Sequence, residues 1–292
     1  MQQREADLIN IKMLTDEKCI AEALGTAMSG GADFAEIYAE YTHNVSMSFL
    51  DKKTENITDN VISGIGIRAF CGTRTVFASS SDLSYQGIMN CARAVAQAMG
   101  DTAGIAIESV ILRPVTVNDI HPIRINPCEG DMKLRADILK QACFAAIDSD
   151  SRIAQVQGAL AGVDHTILVA NSEGLLKTDR HISTRLSVNA TAADVSKGAN
   201  ENQTGSCSPG AGMGLEFFEK VSPAEIGRHA ARQAIVNLGA DYCRAGQMTV
   251  AIENGFGGVI FHEACGHSLE ATQVGVGMSE MCGKLGQKIA NE

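Results

Sequence analysis

The chain contains no tryptophan, and aromatic residues make up only 4% of it. Its core must therefore be built from small and β-branched side chains. Long apolar runs are missing too; none approaches the roughly 20 residues that a membrane-spanning helix needs. The N-terminus, Met1 to Asp7, is polar with no apolar run behind it, so no signal peptide is expected. A basic excess is also lacking. The net charge of −10 leaves no electrostatic footprint for DNA, RNA or anionic membranes. The nine cysteines are odd in number, and no two form a C-x-x-C pair. Both facts argue against a disulfide framework and for reduced thiols in a cytoplasmic protein.

What is present is 292 residues, 45% of them hydrophobic, with 29 glycines. That is enough to bury a sizeable core with many turns. A first helix is expected over 15–31, capped by Thr15, with Ile20, Leu24 and Met28 on one face. Alternating stretches over 34–41 and 45–50 predict strands. A hairpin is expected over 61–78, turning at Cys71-Gly72. A helix over 82–99 follows, capped by Asp82, and another over 131–147. Strands over 152–190 turn at Asn171-Ser172-Glu173-Gly174, and 192–215 reads as a loop. Ser222, Pro223 and Glu225 predict a capping box that opens a helix ending at Gly239. A strand over 247–252 and a glycine turn over 254–258 come next.

Prolines at 114, 122 and 127 mark an internal boundary. The expected organisation is an α/β unit over 1–100, a second over 101–240, and the start of another domain over 241–292. The first two both read helix, strands, helix, which suggests a structural pseudo-repeat. The fold class is α+β with a mainly antiparallel sheet.

The chemistry concentrates in Phe261-His262-Glu263-Ala264-Cys265-Gly266-His267-Ser268-Leu269-Glu270. Imidazoles that bind a divalent metal, beside a carboxylate that takes a proton from water, are the parts of metal-assisted hydrolysis. The spacing is His262 to His267, i to i+5. On a regular α-helix that places the rings about 140° apart with a rise of about 7.5 Å, too far to share a metal. A one-residue π-bulge restores a near-common face, and Gly266 tolerates unusual backbone geometry. A bulged or broken helix is therefore predicted between the histidines. His262 and His267 are the expected ligands, zinc the expected metal, and Glu263 the general base. Glu270, one turn beyond His267, is an acceptor for an imidazole N–H or a further ligand. Cys243 and Cys282 are open as a third ligand. His121, His165, His181 and His229 read as structural or surface residues. The Gly255-Phe256-Gly257-Gly258 turn resembles a phosphate cradle, but it lacks a P-loop lysine and any G-x-G-x-x-G.

The histidine stretch, with Ser279 and Gly283-Lys284-Leu285-Gly286 after it, resembles the TldD side of the TldD/PmbA (TldE) family. Asp33-Phe34-Ala35-Glu36-Ile37-Tyr38, Gly64-Ile65-Gly66-Ile67-Arg68 and Asn171-Ser172-Glu173-Gly174 agree with it. The resemblance implies a cytoplasmic zinc metalloprotease that acts on unfolded or small peptides and pairs with a PmbA/TldE-like subunit. It implies His262 and His267 as zinc ligands, Glu263 as catalytic base, and a β-rich metalloprotease domain beginning at about 241. Family members are considerably longer and draw a third ligand, a cysteine, from their C-terminal part. The alternative expectation is a catalytically incomplete fragment or interaction subunit, and the chain alone is expected to be weak or inactive.

Overall fold

The computed structural model describes residues 16–50, 52–100, 110–115, 120–129, 131–194 and 201–289. The chain divides into two compact units, the larger ending at Asp241 and the smaller, which also takes the turn Gly72–Arg74, running from Tyr242.

The larger unit is one long-stranded sheet with helices on one face. Helix α1 spans Glu17–Met28. Its cap is Asp16, whose carboxylate accepts from Lys18 N at 3.0 Å; Thr15 lies outside the described residues. The two strands expected over 34–50 are a single 17-residue strand, β1, Phe34–Leu50. Polar residues in its middle do not interrupt it, because both its edges are paired. Strand β2 is Lys53–Cys71 and β3 is Arg74–Ser80. Helix α2, Tyr85–Met99, is capped by Ser84 rather than Asp82; the Asp82 carboxylate instead accepts from Ser84 N at 2.9 Å. A short strand β4, Arg113–Pro114, pairs in parallel with Leu175–Leu176.

Helix α3, Met132–Ile147, follows with Asp131 as its cap. Strands β5, Ile153–Asn171, and β6, Leu175–Ala193, then form a hairpin at the expected turn. Asn171 Oδ1 accepts from the backbone of Glu173 and Leu175, and Gly174 takes φ +100°, where a side chain would be strained. The segment read as a loop over 192–215 contains β7, Asn202–Cys207, and β8, Gly210–Ala211, both paired with β6. Its Gly and Ser content hid strands whose stability comes from pairing rather than propensity. After a short turn of helix, α4, Phe217–Lys220, comes α5, Pro223–Leu238. Proline opens α5 as expected, but Ser222 makes no side-chain cap. Glu225 bonds Arg228 instead of reaching back.

The strand order is β3-β2-β1-β5-β6-β4. Since β1 pairs with both β2 and β5, the segments before and after residue 100 share one sheet. Ala35, Ile37 and Ala39 of β1 pack under α1 and α2. Met47 and Phe49 pack under α3 and α5. All five are odd-numbered in a strand of unbroken register with β5, so both helix pairs cover the same sheet face. Each large side chain buried there contributes about 1.5–3 kcal/mol. Between the two clusters, on the same face, Asp164 of β5 accepts from Arg180 at 2.8 and 2.5 Å and from Asn126 at 2.7 Å. The opposite face carries no helix from this unit among the described residues.

From Tyr242 on, the smaller unit has no strand among its described residues. The strand expected over 247–252 is absent. Met248, Val250 and Ile252 do alternate, but they stay about half exposed or more and meet no pairing edge, and an unpaired extended segment is not a stable strand. Gly255, at φ +89°, turns the chain into a short helical run: a 3₁₀ turn at Phe256–Gly258, α6 at Val259–Phe261, a π turn at His262–Gly266, a 3₁₀ turn at His267–Leu269, and α7 at Ala271–Gly275. No helix among the described residues is long and apolar enough to cross a membrane.

Candidate metal centre

The π turn falls where the histidine spacing requires it. His267 N donates to His262 O, the i+5 bond that widens the turn by one residue. The two imidazoles, which a regular helix would place on different sides, meet with ring centres 4.4 Å apart and planes at 70°. Glu263 joins them. The ligating atoms of His262, Glu263 and His267 all lie within 4.8 Å of one another. Among the described residues this is the one such cluster of three.

Gly266 acts differently from the sequence expectation. Its φ of −59° and ψ of −54° are ordinary for a right-handed helix. A Cβ there would meet His262 Nδ1 at 3.4 Å, an ordinary contact distance, so neither backbone angle nor space demands a glycine at this position.

Glu270 holds the second imidazole. Its carboxylate lies 2.7 Å from His267 Nδ1, and Glu263 lies 3.6 Å from His267 Nε2. With Nδ1–H donated to Glu270, the lone pair of the neutral ring is on Nε2, the nitrogen facing the cluster. The Glu270 hydrogen bond, then the Glu263 charge, hold the His267 pKa above its ordinary value. Metal binding needs the neutral ring, so it competes with that proton and weakens as pH falls. Two imidazole donors with a carboxylate beside them suit a divalent metal of the zinc class.

One anchoring residue was not singled out by chemical reasoning. Ser279 Oγ donates to the carbonyl of Ser268 and accepts from Met281 N, pinning the chain just past His267. A lone serine eleven residues downstream carries no spacing signal. Cys243 and Cys282 stand outside the cluster; their thiols are directed at the carbonyls of Arg244 and Val274. His165 and His181 belong to the sheet. The helix that follows the Gly255 turn is three residues long, too short to form an anion site.

Three models of the PmbA/TldA metallopeptidase family match in succession. Domain 1 covers residues 35–98, the central domain 130–238 and the C-terminal domain 245–292. The chain belongs to the PmbA/TldD metallopeptidase family. A metalloprotease TldD homologue of Haemophilus influenzae is 29% identical over 271 residues, 89% of this chain and 54% of that one. Metalloprotease PmbA of Escherichia coli O157:H7 is 27% identical over 231 residues, 76% of this chain and 49% of its own. This PmbA/TldD chain thus spans about half the length of these curated relatives. A crystal structure from Bacteroides thetaiotaomicron, described as a modulator of DNA gyrase, superposes with a TM-score of 0.72 at 16% identity, covering 95% of this chain and 63% of that one. It shares the α+β fold. Relatives named as metalloproteases imply a metal ion, and the histidine cluster lies inside the segment that the C-terminal domain model covers.

Proposed function

We propose that this chain supplies the metal-binding segment of a TldD-type, zinc-dependent metallopeptidase. It acts on unfolded or small peptides in the cytoplasm, together with a PmbA/TldE-like subunit. The observation that carries the reading is the π turn that brings His262 and His267 together beside Glu263. His262 and His267 hold the metal. When bound, zinc supplies Lewis acidity toward a peptide carbonyl. Glu263 is the general base, a carboxylate within proton-transfer reach of the same centre. Glu270 positions His267 and fixes its tautomer. The occurrence of both TldD and PmbA relatives supports a paired assembly. We read residues 1–100, 101–240 and 241–292 as the three family domains.

The exposure of the site supports a second reading for the chain on its own. The His267 and Glu263 side chains are 54% and 63% exposed, whereas hydrolytic centres work where water is controlled. Alone, the chain then serves as an interaction subunit with weak metal binding and negligible turnover.

The test is Glu263→Gln in the chain co-expressed with a PmbA-type subunit. Zinc content by elemental analysis should be retained while cleavage of an unfolded casein substrate is lost. Cleavage at the wild-type rate in that variant removes Glu263 from the chemistry.

A further inference from the structure

The sheet face opposite the larger unit's own helices carries a cavity of about 380 Å³ between β1, β2 and β3. Its floor is Gly64 and Gly66 of β2. Glu40 and Tyr38 of β1 stand on one side, Phe77 and Ser79 of β3 on the other. Register explains the shape. Gly64 and Gly66 lie directly opposite Glu40 and Tyr38, so two successive same-face positions on β2 offer no side chain. The Phe77 ring lies down over the gap; a Cβ at Gly66 would come within 2.8 Å of it. The ring nevertheless stays 63% exposed, which leaves it accessible to a ligand in the trough.

Glu40 is the one charged side chain in the cavity lining. Its Oε2 accepts from Tyr38 Oη at 3.0 Å and lies 3.2 Å from His165 Nε2. Tyr38 Oη and His165 Nε2 are themselves 3.2 Å apart. Two adjacent strands, β1 with Tyr38 and β5 with His165, thus hold this carboxylate in place. Burial, then the Glu40 hydrogen bond, push the Tyr38 hydroxyl above its ordinary pKa and keep it a donor. A held carboxylate, with an exposed aromatic ring across a side-chain-free trough, has the parts of a cation-binding slot.

We infer that this cavity binds the cationic side chain, lysine or arginine, of an extended polypeptide lying across the open sheet face. The glycine trough accepts the aliphatic stem, Glu40 pairs with the charge, and Phe77 packs against it. The chain's net charge of −10 favours the same ligands at longer range. The inference takes from the peptidase reading only that the ligand is a polypeptide. It adds a recognition site within the larger unit, independent of the metal.

The experiment uses metal-free protein in EDTA, so the fate of the zinc assignment does not touch it. A fluorescein-labelled, N-acetylated decapeptide of alanine and serine with one central arginine is titrated by anisotropy, beside the same peptide with norleucine at that position. Wild-type protein should bind the arginine peptide about tenfold more tightly. Glu40→Gln should erase the difference, and Phe77→Leu, at an exposed position, should reduce it by about threefold. Equal binding of the two peptides to wild type overturns the proposal without recourse to any variant. So does retained discrimination in a folded Glu40→Gln protein. Free agmatine binding as tightly as the arginine peptide would overturn the polypeptide as occupant and assign the slot to a small cation.

Discussion

Thr184 sits in the middle of β6, 1% exposed, and its hydroxyl has no hydrogen-bond partner. A buried hydroxyl left unpaired costs about 1–3 kcal/mol of desolvation. Thr184→Val keeps the β-branched shape and removes the penalty. It should raise stability by about 1 kcal/mol in urea melts; a loss of stability would show that the hydroxyl is satisfied in solution. Glu270 is the other single residue with a sharp consequence. Its carboxylate fixes the ring of His267 through one 2.7 Å contact. Partners of this kind change metal affinity by about 10–100-fold when removed. Glu270→Ala should weaken zinc binding by that factor while the helical content stays unchanged; undiminished affinity would make the contact incidental. The four buried thiols, Cys19, Cys91, Cys128 and Cys143, call for no such role. Burial pushes Cys128 and Cys143 to about 12, so they are packing groups and should resist alkylation in the native state.

At the scale of elements, the π turn decides whether two histidines five residues apart make one site. Inserting an alanine between Ala264 and Cys265 rotates His267 by about a further 100° and should abolish zinc binding. Binding of wild-type strength would show that the turn is not what brings the ligands together. In the larger unit, the Asp164–Arg180–Asn126 group bridges the two helix-covered halves of the sheet. Burial drives the Asp164 carboxyl up, but the Arg180 and Asn126 hydrogen bonds outweigh it, and the net pKa lies below the ordinary value. A depressed folded pKa gives stability that is present above the unfolded value, about 4. That stability is lost as pH falls through the folded value. Asp164→Asn should therefore cost about 1–3 kcal/mol at pH 7, and the gap to wild type should narrow as pH falls below the ordinary aspartate value and through the lowered folded one. A gap that is constant with pH would contradict the linkage.

Across the whole molecule, the sequence was most legible where local chemistry and tertiary structure agreed. The Asn171–Gly174 turn, the stripe of Ile226, Ala230, Ala234 and Leu238, and the need for a bulge between the histidines could all be read from residue types and spacing. Misreadings came where the deciding partner was distant. The polar middle of β1 looks like a break until β2 and β5 are laid on either side of it. Strands β7 and β8 exist through β6, not through propensity. The alternating Met248, Val250 and Ile252 suggested a strand that has no edge to join. Caps were misplaced by one or two residues, since aspartate and serine compete for the same backbone donors. In the metal centre, the motif named its three residues, whereas the Ser279 tether, set by a contact eleven residues back in the chain, carried no local signal.

If the proposed site is right, His262 and His267 hold one metal ion between them. Calorimetric titration of zinc into the metal-free chain and into His262→Ala, His267→Ala and Glu263→Gln tests it directly. The expected result is one zinc per wild-type chain, a loss of about tenfold or more in affinity for either histidine variant, and a stoichiometry unchanged by Glu263→Gln. Zinc affinity equal to wild type in both histidine variants would contradict it.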